Sequence, residues 1–363
     1  MILFLFSIIL FFLVYKCMPF MVAFAMKFKL YDAPNARKMH TTPIPRLGGI
    51  VISFFFLIGI FVFDFIEHSK DFQLFITGAL LIIIMGVVDD LVDLSASFKF
   101  TIQALVAYIM VSNGLIVPIP DELLSLLGNS EFITPVISFL FIVGVINAMN
   151  LIDGVNGLAS GMGMINFFFF AVLAIHTHNI LVVGICILIL AALAGFIPHT
   201  FPNARIFLGD SGSLLVGYIT VFCGLHLIQG ATQIYALSNY FQIDLILLAC
   251  MLLPLFDEFR LFAERMINGN SPFRADTNHI HHLILKTNFS VQRTTELLLT
   301  SHVWIIMASI GFQLFFSKFI VLVLLSLISV TYLNVHFFRY VKTLSEDYKK
   351  AKELLNNIQT ENN

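Results

Sequence analysis

The chain has 363 residues, of which 59% are hydrophobic and only 12% charged, with a formal net charge of −2 and a mean hydropathy of +0.94. A soluble domain of this size could not bury so much apolar side chain, so the composition excludes an ordinary globular protein and predicts several membrane-spanning helices. The 40 Phe residues argue for lipid-facing helices over a porin-type barrel, and four scattered Cys without CxxC spacing argue against a disulfide or zinc framework.

The N-terminus is apolar from Ile2 and lacks a basic leader and an A-x-A-like cleavage site, so it reads as a retained span. A crossing helix needs about 20 mostly apolar residues. Eleven stretches qualify: 2–18, 48–66, 73–88, 99–117, 132–149, 158–176, 179–197, 212–228, 240–259, 296–316 and 319–338. Turn and breaker residues separate them, among them Asn113-Gly114, Pro118, Pro120, Gly128-Asn129, His178-Asn179, Pro198 and Pro202. With the N-terminus outside, 18 of the 20 Lys and Arg residues fall on the inner side, and only Lys70 and Lys318 fall outside. That asymmetry supports the count and the orientation, because a miscounted span would scramble it downstream. The expected fold is therefore all-α: a polytopic membrane protein of about eleven transmembrane helices with its active site at the cytoplasmic face. Residues 1–340 read as one transmembrane catalytic domain. Residues 341–363 read as a polar cytoplasmic tail, with Glu346/Lys350 and Lys349/Glu353 spaced to support a solvated helix.

In this topology the polar motifs all reach the inner face. The first inner loop carries Arg37, Lys38, His40 and Arg46 between Pro and paired Gly, which suggests a fixed loop conformation. Asp89-Asp90 ends the third span. Adjacent carboxylates repel, and two acids at a helix C-terminus oppose its dipole, so stability does not explain them. Asn150-Leu-Ile-Asp153-Gly-Val-Asn156-Gly157 joins the fifth and sixth spans, its oxygen-bearing side chains spaced by three on one helical face or around a tight loop. Arg205-Ile-Phe207-Leu-Gly-Asp210-Ser-Gly-Ser213 opens the eighth span, where a helix N-terminus with glycines offers free N–H groups to anions. Asp210 as a simple N-cap is the bland reading of that segment. His279-Ile-His281-His282 lies in the longest polar loop with Arg265 and Arg274. It lacks HExxH and a Cys partner, and suits a pyrophosphate better than zinc. Oxygen ligands gathered at one membrane face suit Mg²⁺ and a phosphorylated substrate.

Taken together, DAPNARKMHTTPIPRLGG, GVVDD, NLIDGVNGLASG, RIFLGDSGS and SPFRADTNHIHHLIL closely resemble, in order and over 32–285, the bacterial polyprenyl-phosphate N-acetylhexosamine-1-phosphate transferases. The resemblance is nearest to the branch that starts enterobacterial common antigen, O-antigen (lipopolysaccharide) and teichoic-acid linkage units. It implies transfer of a sugar-1-phosphate from a UDP-sugar to undecaprenyl phosphate at the cytoplasmic leaflet of the bacterial inner membrane, with release of UMP. It also implies a need for Mg²⁺, for which Mn²⁺ often substitutes. By motif match, Asp210 would be the metal ligand, and Asp89 and Asp90 would lie beside the metal and the lipid phosphate. Asp153 would join the acidic cluster, Asn156 and Phe207 would hold the uracil, and the His279–His282 loop would meet the sugar diphosphate. Asn150, Arg205, Arg265, Lys38 and Arg46 complete the expected substrate-binding set. Many relatives have Asp where this chain has Asn156, which favours nucleotide binding over a role as base. Relatives that use a UDP-MurNAc-pentapeptide carry three consecutive His, so HIHH favours a plain N-acetylhexosamine donor, with UDP-GlcNAc first.

Attack of the lipid phosphate on the β-phosphorus and a two-step route through an aspartyl phosphate are both compatible with these residues. No nucleic-acid partner is expected, and a homodimer is an assembly the resemblance admits. The rival reading is a cation-coupled membrane transporter. It requires ionisable residues near mid-span, whereas these acids lie at span ends.

Overall fold

The computed structural model describes residues 2–31, 43–67, 71–119, 124, 130–231, 242–270, 278–287, 289–318 and 320–328. Lys38, Arg37, His40, Lys70, Arg274 and the expected tail at 341–363 lie outside them. Helices account for the regular structure of the described residues: α1 (Ile2–Phe28), α2 (Gly48–Glu67), α3 (Phe72–Val92), α4 (Ala96–Ser112), α5 (Ser130–Leu151), α6 (Leu158–His176), α7 (Ile180–Thr200), α8 (Asp210–Ala231), α9 (Ile243–Ile267), the short α10 (Ile280–Leu285) and α11 (Val291–Gln313). Residues 320–328 are also helical.

Seven of these helices are long and apolar enough to cross a membrane: α1, α3, α5, α6, α7, α8 and α11. The expected spans 48–66 and 99–117 fall on shorter apolar helices, α2 and α4. The expected span 240–259 falls on α9, which carries Asp257, Glu258 and Arg260 and runs on to Ile267. Two boundaries differ from expectation for a reason of local chemistry. Pro198 does not separate spans but sits inside α7, and Pro19 sits inside α1, which continues to Phe28. In a helix packed among helices, neighbours re-satisfy the backbone group that a proline frees. Short side chains set several starts. Ser95 Oγ accepts the Phe98 N–H at 3.3 Å, and Asn179 Oδ1 accepts that of Val182 at 3.2 Å.

Helix α8 is the axis of the bundle. It packs against α2, α3, α5, α6, α7 and α9. Its apolar stretch is almost wholly buried, whereas most of the peripheral α1 is not. Tyr218 pins α8 to α3, stacking on Phe75 at 5.8 Å and donating to the Phe75 carbonyl at 2.7 Å. Outward faces keep large apolar side chains such as Phe4, Phe20, Tyr108, Phe132 and Trp304 exposed, as lipid-facing helices do. The N-terminus of this central helix carries Asp210, so the packing of α8 within the bundle sets where that carboxylate sits.

Candidate active site

Four chain segments converge on the N-terminus of α8. The first is the last turn of α3, which extends past the expected end of its span to include Asp89 and Asp90. Asp93 closes that turn in the left-handed region, and its N–H returns to the Asp89 carbonyl. Asp89 itself is 7% exposed, and its Oδ1 accepts the Leu94 N–H at 2.7 Å. The second is the start of α4. Lys99 places its ammonium 3.0 Å from Oδ2 of Asp89 and 3.0 Å from Oδ2 of Asp210. This lysine joins the two carboxylates that sequence motifs named separately. Its place in the site was missed because, alone, it reads only as one more inner-side cation.

The third segment is the end of α5 and the turn after it. Asn150 donates to Ser213 Oγ at 2.9 Å, and Ser213 donates to the Gly209 carbonyl at 2.9 Å. The helix stops at Leu151, so Asn150, Asp153 and Asn156 surround a turn and do not share a helical face. Burial pushes the Asp153 carboxyl well above the usual carboxylate range. The charges of Asp210 and Asp90 add to the rise, and a Gly209 backbone hydrogen bond and the Arg46 charge oppose it. The Asn156 side-chain amide donates to the Pro202 carbonyl at 3.2 Å, and the Asn156 backbone carbonyl accepts from Thr295 Oγ1 at 3.0 Å.

The fourth is the strand-like pairing of 45–49 with 207–208. The Phe207 N–H donates to the Pro45 carbonyl at 2.7 Å, and Gly48 and Gly49 donate back to Phe207 and Leu208 at 3.0 and 2.7 Å. Gly49 is needed there, because a Cβ on it would lie 2.1 Å from the Gly212 nitrogen. Gly209 is needed as well: its φ is +74°, and a Cβ would meet the Arg46 carbonyl oxygen at 2.1 Å and Asp90 Oδ1 at 2.7 Å. The pairing leaves Phe207 half-buried and Arg46 near Asp153, with Arg205 exposed at the rim.

The expectation of free N–H groups at this helix start is corrected by the structure. The Asp210 and Ser211 N–H groups donate to Asp90 at 2.7 and 3.0 Å, and Ser211 Oγ donates to it at 2.5 Å. Gly212 and Ser213 N–H groups return to the Gly209 carbonyl. A carboxylate from α3 therefore fills the anion-binding role at this terminus, and aims Asp210 while doing so.

The histidine loop reaches the same place. The rings of His279 and His281 stack in parallel at 5.6 Å, and His281 meets His282 at 4.3 Å. A Cβ on Gly154, next to Asp153, would lie 2.5 Å from His281 Nε2. His281 is 1% exposed, and both its ring nitrogens lack a hydrogen-bond partner. Burial, with the charges of His282 and His279 beside it, holds its pKa well below the imidazole range, so it is neutral. Arg265 is buried on α9 with its guanidinium over the Phe262 ring at 5.9 Å.

Among the described residues no group of three or more His, Cys, Asp or Glu is arranged to hold a metal. Mg²⁺ does not require one, since it keeps several waters and is usually held by one or two carboxylates plus substrate phosphates. Asp89 and Asp210, facing one another across a cation, are such a pair, and their donor chemistry fits a hard divalent ion.

The family model described as Glycosyl transferase family 4 matches residues 72–228, which hold Asp89, Asp90, Lys99, Asn150, Asp153, Asn156, Phe207 and Asp210. A "Probable undecaprenyl-phosphate N-acetylglucosaminyl 1-phosphate transferase" of Bacillus subtilis is 31% identical over 277 residues, covering 75% of this chain and 74% of the relative. The "Undecaprenyl-phosphate alpha-N-acetylglucosaminyl 1-phosphate transferase" of Escherichia coli K12 is 30% identical over 309 residues, covering 82% and 79%. A "Decaprenyl-phosphate N-acetylglucosaminephosphotransferase" of Mycolicibacterium smegmatis is 28% identical over 312 residues, covering 79% and 75%. On these matches, which take in the helix ends that build the acidic site, the chain belongs to glycosyl transferase family 4, among the bacterial polyprenyl-phosphate N-acetylhexosamine-1-phosphate transferases.

Proposed function

We propose that this protein transfers N-acetylglucosamine-1-phosphate from UDP-GlcNAc to undecaprenyl phosphate and releases UMP, as the first membrane step of a cell-surface polysaccharide pathway. The observation that carries the proposal is the gathering of Asp89, Asp90, Asp153 and Asp210 at one end of the bundle, with Lys99 shared between Asp89 and Asp210. The names of the relatives support the acceptor and the sugar. A transporter would need its charged residues at mid-span, and these sit in the last turn of α3 and the first turn of α8. The eighteen-to-two distribution of basic residues supports eleven spans, an outer N-terminus and a site on the cytoplasmic side.

In the proposed reaction an oxygen of the lipid phosphate attacks the β-phosphorus of the UDP-sugar. The bond from that phosphorus to the bridging oxygen breaks, and UMP leaves. Phosphate monoesters are largely ionised near neutral pH, with a second pKa of about 6, so the nucleophile needs no strong base. Asp90 spends both oxygens on the start of α8 and acts by positioning Asp210. Asp89, which shares the Lys99 ammonium with Asp210, is the carboxylate that orients the lipid phosphate. Asp210 and Asp89 would hold Mg²⁺ (or Mn²⁺), which when bound neutralises charge on the diphosphate. Lys99 and Arg46 add fixed positive charge beside the same oxygens. Phe207 and Asn156 hold the uracil, and the histidine loop with Arg265 faces the sugar diphosphate.

The test is transfer of labelled sugar phosphate from UDP-GlcNAc into butanol-extractable lipid by the purified protein with undecaprenyl phosphate and Mg²⁺. Transfer that stops on chelation and resumes on adding Mg²⁺ is expected. A protein that is folded yet inactive with every UDP-N-acetylhexosamine defeats the proposal.

A further inference from the structure

The histidine loop and the acidic cluster lie far apart in sequence, and nothing in the loop's own motif explains how it is aimed. The fold supplies an answer outside every motif. Asp257 lies on α9 and is 2% exposed. Its Oδ2 sits 2.9 Å from His279 Nδ1, and its Oδ1 accepts the Ile280 N–H at 3.0 Å. Arg260, one turn along the same helix, donates to Asp257 at 2.9 Å and to the Asn278 carbonyl at 2.5 Å. Ile280 opens α10, so one carboxylate both orients the first histidine and caps the helix that carries the other two. A cap alone needs one oxygen. The second is committed to an imidazole.

That commitment has a chemical consequence. An ionised carboxylate only accepts, so Nδ1 of His279 carries a proton, and Nε2 is the one ring nitrogen that can offer a lone pair. His279 in turn stacks on His281, and His281 packs against Gly154 beside Asp153.

We propose that Asp257 is the positioning residue of the histidine loop: it fixes the tautomer of His279 and seats the histidine stack against the Asp153 turn. The inference rests on the transferase reading for its effect on turnover. Asp257 touches no substrate in this scheme and acts through His279.

Asp257→Asn separates the two oxygens' tasks. Its carbonyl can still accept the Ile280 N–H, so its amide N–H₂ faces His279 and demands the opposite tautomer. Asp257→Ala removes both. In full-length protein with UDP-GlcNAc, Asp257→Asn is expected to lower kcat by about 10- to 100-fold, the range for losing a hydrogen bond to an ionised partner. UMP affinity should stay within about 2-fold. In a His279→Ala background the same substitution should add nothing, because its route is gone. Wild-type kcat in Asp257→Asn, or an equal loss in the His279→Ala background, overturns the proposal. A readout independent of activity is carbethoxylation by diethylpyrocarbonate, mapped by peptide mass spectrometry. His281 should be protected in the wild type and in Asp257→Asn, and react at least about tenfold faster in Asp257→Ala. Unchanged protection in Asp257→Ala also overturns the proposal. Should the wild-type protein transfer no sugar phosphate at all, the transferase reading fails by itself, and His281 protection still decides whether Asp257 seats the loop.

Discussion

The two ends of the α3–α8 pair carry polar residues in opposite style. At one end Asp89, Asp90, Asp153 and Asp210 crowd together, and Lys99 is shared between two of them. At the other end Asp71 faces His226 at 2.9 Å, and His226 is in turn held by Asn179 at 2.8 Å. Nearby on that side Asp244 pairs with Lys318. The second style is balanced, one acid to one basic group, and needs nothing from outside. The first has a surplus of negative charge at the start of a helix against which six others pack. A fold does not gather like charges in a rigid place for stability, since each disfavours the ionisation of the others. Surplus, not polarity as such, marks the end proposed to bind a cation and a phosphorylated substrate.

The sharpest way to break this contrast is to neutralise the surplus at its centre. Asp210→Asn keeps the size of the side chain and should keep the fold. It should remove most turnover, on the order of 10³-fold or more, as expected for loss of a metal-ligand charge. Near-normal turnover at saturating Mg²⁺ would sink the assignment.

Lys99 tests the same end with the opposite sign. Lys99→Met leaves Asp89 and Asp210 facing each other without their shared ammonium. Loss of one partner from a close charge pair predicts a fall of about 10²-fold in kcat/KM. Lys99→Arg should recover part of it, because charge is restored while the geometry of two 3.0 Å contacts is not. Equal activity of the Met variant and wild type would show that Lys99 is only a tether.

Phe207 asks whether the same end also reads the base. Phe207→Ala should weaken UMP binding by about 5- to 150-fold, the worth of aromatic–base stacking. The KM for lipid phosphate should barely move. Calorimetry on folded variant decides, and unchanged UMP affinity removes the stacking role.

Charge surplus should also be visible without substrate. The folded-state pKa of Asp153 is raised, so between the unfolded value of about 3.9 and the folded one the native state holds more protons than the unfolded state. Stability contributed at low pH is then lost as pH rises through that window. Asp153→Asn removes the loss. In chelator, the Asn variant should melt above wild type at pH 7, and the gap should close as pH falls towards 4. A variant no more stable than wild type at pH 7 would mean that the turn tolerates the charge.

How far these residues were legible follows from how each acts. GVVDD, NLIDG and GDSGS each announce themselves because several polar residues adjoin within one apolar surround. The seven long apolar helices were legible for the same reason, and α6 lies where its hydrophobic run predicts. Lys99 and Asp257 carry no such local signal. Each is a single charge on a helix, and its meaning comes from partners 111 and 22 residues away. The extent of α9 was hidden too, since Asp257, Glu258 and Arg260 read as the end of an apolar run although all sit within a continuing helix. Glu258 is held there by Asn147 of α5 at 2.6 Å, a tie between helices that no sequence window contains. The use of Asp90 as a cap for another helix could likewise be seen only once α3 and α8 were side by side.

The smallest expected effect belongs to the balanced end, and it guards the comparison against a trivial reading. If any polar residue in an apolar bundle mattered equally, Asp71→Asn or His226→Gln would cost activity as Lys99→Met does. The geometry says otherwise. Asp71 has 56% of its side chain exposed, and its contact with His226 is one that water competes for. Exposed pairs of this kind are worth about 0–1 kcal/mol. His226 is more enclosed, because Asn179 both caps α7 through its carbonyl oxygen and presents its amide nitrogen to the ring. With that oxygen occupied by the Val182 N–H, the orientation of Asn179 is set, and the facing His226 Nδ1 must be the accepting nitrogen. Gln at 226 can reproduce one of these two bonds, so the cost falls on local stability at the start of α7 and not on chemistry at the far end of α8. Turnover in both variants should stay within about 2-fold of wild type, with only a small shift in melting temperature. A loss of kcat comparable to that of Lys99→Met, without unfolding, would mean that the two ends are coupled through α8 and that charge balance does not distinguish them.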